Sequence, residues 1–137
     1  MKDVASEVLT YRGIQSQVAS GESTAINGFT INRRGFYSAI CRVEVGNTSG
    51  TPTRFGVTFQ IQEKSGESAW ADVTDALKTF SGESVATQAQ QYEIPVDLRS
   101  REEYIRVKAT PTFTAGSSPA IEIAANWILG ESDHGAV

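Results

Sequence analysis

The sequence predicts an all-β fold: an antiparallel two-sheet β-sandwich, jelly-roll-like, carrying an N-terminal arm. Three observations lead there. Two long stretches, 37–61 and 104–129, share one layout of alternating strand, loop with Gly and Pro, and second alternating strand. No segment is long and periodic enough in the helical sense to make a βαβ crossover. The connection spanning 64–92 suits the Greek-key links of a sandwich, because an up-and-down barrel joins its strands by short turns.

Taken in order, residues 1–24 are polar, with Val8, Leu9, Tyr11, Ile14 and Val18 as scattered apolar positions, and read as an arm that packs on something else. AINGFTI, 25–31, is a short strand with Ile26 and Phe29 inward, or an Asn27-Gly28 turn between two very short strands. Arg33, Arg34 and Gly35 make a turn. In the first long stretch Tyr37, Ala39, Cys41, Val43 and Val45 face one way, and Phe55, Val57, Phe59 and Ile61 do so after the Gly50-Thr51-Pro52 loop. A period of two marks a sheet with one buried and one wet face, and the layout reads as a long hairpin.

Lys64 to Ser68 is a polar loop, and Trp70 to Val73 a brief edge strand or inserted turn. Asp75 to Phe80 has room for one helical turn before Ser81 and Gly82, with Thr74 or Asp75 as its cap. Tyr92, Ile94, Val96 and Leu98 then alternate with Glu93, Pro95 and Asp97, and Pro95, lacking an N–H, pushes this strand to a sheet edge or a bulge. A charged corner, 97–103, leads into the second hairpin: Ile105, Val107 and Ala109, a Gly116-Ser117-Ser118-Pro119 loop, then Ile121, Ile123, Ala125, Trp127 and Leu129. The expected division is an arm at 1–24, a sandwich at 25–131 and a flexible tail at 132–137.

Composition narrows the function. A net charge of −4 argues against a general nucleic-acid binder, which needs a basic surface to displace counterions. No run of apolar residues is long enough to span a membrane as a helix. Asp3 and Glu7 fall where a secretory leader needs an apolar run, so cytoplasmic synthesis is expected. Cys41 is the only cysteine, so no intrachain disulfide is possible.

Catalytic constellations are scarce. Cys41 needs a base, and the only histidine, His134, is in the C-terminal tail. Asp133 and His134 are too few for zinc, and Asp72 and Asp75 lack the dense oxygen ligands of a calcium loop. The expectation is therefore no enzyme, no cofactor and no metal. Trp70 and Trp127 read as core or rim anchors. With Tyr37 and Tyr92 on inward registers, too few exposed aromatics remain for a sugar platform.

Partner contacts are sought on the wet faces instead. Arg33, Arg34, Arg54, Arg99, Arg101, Arg106 and Lys108 form the best charge cluster, and Tyr104, Arg106 and Lys108 share one outward strip. Ile40 and Ile128 are apolar on faces that should be wet, a mark of protein contact.

The segments GFYSAICRVEVGNTSGTPTRFGVTFQIQ, WADVTDA and YEIPVDLRSREEYIRVKATPTFTAGSSPAIEIAANWILGESD, within residues 26–133, resemble the small head proteins of tailed bacteriophages. That resemblance implies a decoration, or cement, protein with a jelly-roll-like sandwich that clamps the outside of an expanded icosahedral head. Its implied partners are the major capsid protein and further copies of itself, as dimer or trimer, with no nucleic acid, membrane or small-molecule substrate. Contacts would come from the arm, with Tyr11 and Ile14, and from the Arg33-Arg34 turn. The alternatives are a tail or head-tail joining component, or a carbohydrate-binding sandwich for host attachment.

Overall fold

The computed structural model describes residues 8–20, 24–83 and 89–132. They form nine strands: β1 (Val8–Ser20), β2 (Ile26–Asn27), β3 (Ile31–Asn32), β4 (Phe36–Ser49), β5 (Arg54–Lys64), β6 (Ala71–Glu83), β7 (Gln90–Asp97), β8 (Tyr104–Thr114) and β9 (Ala120–Ser132). One sheet has the order β1-β9-β4-β7; the other has β2-β8-β5-β6, with β3 also on β8. Every pairing is antiparallel. The expected jelly-roll sandwich is therefore present.

The two long hairpins are not hairpins. β4 pairs with β9 and β5 with β8, so each stretch starts in one sheet and finishes in the other. Each is an arch, and the two arches bond to one another strand by strand. Their apices meet: Ser117 N–H donates to the Gly50 carbonyl at 2.8 Å and Thr53 N–H to the Thr114 carbonyl at 2.8 Å. Gly50 has φ of 78°, and a Cβ there would lie 2.4 Å from the Ser117 carbonyl oxygen, so no other residue fits this crossing unstrained. Pairing between chain neighbours does occur across the 65–70 loop, where β5 meets β6.

The expected arm is largely a strand. β1 runs along β9 from Val8↔Gly130 to Ser20↔Ala120, so the sandwich begins by residue 8, not 25. Register shifts between Arg12 and Ile14 and between Ile14 and Gln17 space its inward positions unevenly, which hides the period of two. Residues 1–7 of the expected arm and 133–137 of the expected tail lie outside the described residues.

AINGFTI resolves into two very short strands, both on β8, and Phe29 between them is 52% exposed rather than inward. The expected helical turn at 75–80 is instead a bulge within β6: Gln60↔Leu77 and Gln62↔Asp72 set one residue of β5 against four of β6. Asp75 takes φ of 64°, and the Gln60 amide fills the bulge, donating to the Ile61, Val73 and Ala76 carbonyls at 2.8, 3.0 and 3.2 Å. Those acceptors would otherwise lose their ladder partners.

Between the sheets lie Trp127, Phe59, Ile61, Ile94, Leu98, Ile105, Ile121 and Leu129, all buried. Burying each large aliphatic or Phe side chain contributes about 1.5–3 kcal/mol against conformational entropy. Phe59 and Phe80 meet edge to face at 5.8 Å and 89°. The sheet edges are interrupted: β1 by its register shifts, β6 by its bulge, β7 by Pro95, and the β2–β3 side by residues 28–30. Such edges discourage strand addition, which leaves the faces and loops for partners.

Candidate interaction surface

On the outer face of the four-stranded sheet, Thr10, Ile128, Ile40 and Pro95 stand in one row across β1, β9, β4 and β7. Ile40 and Ile128 are half-buried and Pro95 is exposed. With Tyr37, Arg99 and Gly130 they line a shallow depression of about 510 Å³. The next row carries an exposed ion pair, Arg42 to Glu93 at 2.9 Å. An exposed pair of this kind adds at most about 1 kcal/mol, so it orders the face more than it stabilises the fold.

At the rim, Arg99 holds Asp97 through its Nη2 at 3.0 Å, its Nε at 3.1 Å and its backbone N–H at 3.0 Å. The Arg99 side-chain hydrogen bonds, then its backbone N–H, bring the Asp97 pKa down to about 2.

The outer face of the five-stranded sheet is basic and aromatic at one end. Tyr104, Arg106 and Lys108 stand on β8 opposite Lys64, Gln62 and Gln60 of β5. The Arg106 guanidinium lies 4.3 Å from the Trp70 ring centre and Lys64 Nζ 5.1 Å from it. Arg106 Nε donates to Gln62 Oε1 at 3.0 Å, and Gln62 Nε2 donates to Asp72 Oδ1 at 2.9 Å. Burial lowers the Arg106 pKa from its ordinary value. Trp70 is thus the half-buried rim anchor of the two expected alternatives; its place beside Lys64 depends on the β5–β6 pairing, which the sequence pattern does not reveal.

The remaining cations of the expected cluster are engaged elsewhere. Arg33 donates to the Arg101 carbonyl and, at 3.0 Å, to the Glu102 carbonyl; Arg34 pairs with Glu103 at 2.7 Å. Arg101 reaches Glu63 at 3.4 Å and Arg54 lies 3.9 Å from Glu83. Arg33 and Arg34 therefore brace the turn before β4 against the corner before β8. Ile14 is 2% exposed within the core, so it is withdrawn as a contact residue: the register shift turns it inward. Tyr11, opposite Trp127 on the edge strand, is exposed.

Tyr37 and Tyr92 need correction as well, being 40% and 44% exposed although their registers point inward. Tyr37 lies near the start of β4 and Tyr92 on the β7 edge, and both rings are covered only in part. Lys78 of β6 lies 4.6 Å from the Tyr92 ring centre. Tyr11 and Tyr92 occupy opposite edge strands of one sheet, and Tyr104 lies on the other, so these rings make no common platform.

Cys41 is fully buried, and burial pushes its thiol pKa up, so it stays protonated and unreactive. His134 and Asp133 lie outside the described residues. Among the described residues no group of three His, Cys, Asp or Glu side chains is placed to hold a metal, and no helix is long and apolar enough to cross a membrane.

No family model matches the chain, and no curated protein sequence matches it. Solved structures do. The T=1 particles derived from infectious bursal disease virus superpose with a TM-score of 0.59 at 11% identity, over 93% of this chain and 32% of that one. The Gx strain of the virus gives 0.58 at 10% identity, over 89% and 32%. The VP2 subviral particle gives 0.57 at 10%, over 93% and 33%. The chain spans about a third of the length of these structures. At such identities the likeness is one of fold: the jelly-roll sandwich described above is also found in proteins that build icosahedral particles.

Proposed function

We propose that the chain is a structural virion protein, and specifically a decoration protein on the outer surface of a tailed-phage head, without catalytic activity. The observation that carries this reading is the apolar Ile40–Ile128–Pro95 row on the outer face of a jelly-roll sandwich whose interrupted edges discourage strand addition. A protein that clamps a shell needs binding surface, and a face contact multiplied over many symmetric sites turns weak affinity into firm attachment. The sequence resemblance to phage head proteins, and the fold shared with particle-forming capsid proteins, support the same reading.

The major capsid protein is the proposed partner, and a dimer or trimer of the chain is the form that matches a symmetric site on the head. Mixing the purified chain with empty expanded heads that lack it tests the proposal. Saturation in proportion to the two-fold or three-fold sites of the head, with a raised melting temperature of the shell, is expected. A copy number set by the tail or by one vertex would move the chain to a tail or joining role, and absence of binding would remove the decoration reading.

A further inference from the structure

We infer that Lys64 and Arg106, which lie against Trp70, together with Lys108 two residues further along β8 on the outer face of the five-stranded sheet, dock an extended acidic segment of a protein partner. This rests on reading the chain as a binding protein and names a second contact, on the sheet opposite the Ile40–Ile128 row.

Charge complementarity carries the choice of partner. Arg34, Arg42, Arg54, Arg99 and Arg101 each have a carboxylate within 4 Å, whereas no ion pair involves Lys64, Arg106 or Lys108 among the described residues. Arg12, Arg33 and Lys78 also have no ion pair among the described residues, but they stand apart on β1, the turn before β4 and β6. In a chain of net charge −4 it is the grouping of three such cations on one strip that sets this face apart. Arg106 is also held in place: the Trp70 ring covers it, and Gln62, itself 6% exposed, accepts from Nε while its amide anchors on Asp72. One of its five N–H groups is thereby used, leaving the rest for a carboxylate, which guanidinium grips in bidentate fashion. A partly desolvated cation without a counter-charge is costly, and an arriving carboxylate offsets that cost.

The spacing favours an extended segment. Arg106 and Lys108 are two residues apart on one strand, so their side chains emerge about 7 Å apart. Acidic residues at every second position of an extended peptide have the same interval. Nucleic acid fits less well, because three cations and a neighbouring Asp72 on an acidic chain release few counterions.

The test is a titration of the full chain with a synthetic peptide of alternating glutamate and serine, followed by ¹H–¹⁵N spectra. The two indole signals separate the outcomes: Trp70 reports the strip, and Trp127, fully buried, reports the integrity of the fold. Saturable movement of the Trp70 indole with Trp127 unmoved, weakened about tenfold by Arg106→Gln with Lys108→Gln and further by added salt, is expected. A flat titration overturns the inference, as does movement centred on Arg54 or Arg99, or a duplex DNA that moves Trp70 at lower concentration than the peptide. Heads that take up the chain while the peptide does nothing overturn this inference alone; heads that refuse it while the peptide binds overturn the decoration reading alone.

Discussion

Ile40 of β4 and Ile128 of β9 stand directly opposite one another on the outer face of the four-stranded sheet. Neither side chain is in the core between the sheets, so their loss should cost the fold little. Replacing both by Thr is expected to lower stability by about 1 kcal/mol, the size of a cross-strand pair, while weakening attachment to expanded heads by about tenfold or more. Thermal melts and head sedimentation measure the two separately. A double variant that attaches as firmly as the parent would show that this row is not the contact.

Gly28 predicts a sharper loss. A Cβ there would lie 2.4 Å from the Gly13 carbonyl oxygen and 2.7 Å from that of Val107, both backbone, where Phe29 N–H joins the two sheets by donating to Gly13 at 2.8 Å. Gly28→Ala should cost about 3 kcal/mol in urea unfolding, by forcing the two sheets apart. Gly35→Ala is the control: its φ is 89° but an added Cβ meets none of the described residues within 4 Å, so backbone strain alone, about 1–2 kcal/mol, is expected.

Trp127 is fully buried and its Nε1–H has no acceptor among the described residues. Trp127→Ala should cost about 4 kcal/mol through the cavity it leaves. Trp127→Phe should cost less than half of that, since it keeps most of the apolar volume and removes a stranded donor. Equal losses in the two variants would mean that the indole N–H is satisfied in solution, for instance by a buried water.

Asp97 predicts an acid-limb effect with a definite sign. Its folded pKa, about 2, lies below the unfolded carboxyl value of roughly 3.9, so the Arg99 contact stabilises the fold above about pH 4 and is lost as pH falls to about 2. Asp97→Asn should therefore melt below the parent at pH 5, with the gap closing by pH 2. A gap that stays constant over that window would assign the difference to something other than titration of Asp97.

The alternation of Ala39, Cys41, Val43 and Val45, and of Phe55, Val57, Phe59 and Ile61, makes the buried faces legible in the sequence, and all eight are buried. The same alternation points Trp127 and Cys41 inward, and of the core and rim positions open to Trp127 the structure takes the core. Irregular elements were not legible in this way. The register shifts of β1 concealed a strand and the inward turn of Ile14, and the bulge of β6 resembled a helical turn because its extra residues break the period. Tyr37 and Tyr92 obey the inward register yet stay exposed, since register says which way a side chain points and not whether anything covers it.

The sequence by itself determined the all-β class and the faces of the regular strands, because backbone pleating imposes a period of two on any half-buried strand. Only the tertiary structure decided which strands pair, and with that the candidate surfaces. A hairpin and an arch present the same inward alternation to the core. Their difference lies in long-range backbone hydrogen bonds, which are chemically alike for every residue but proline. Ile40 thus met Ile128, Arg106 met Trp70, and Arg33 was drawn to the 101–102 carbonyls through pairings that local pattern does not encode.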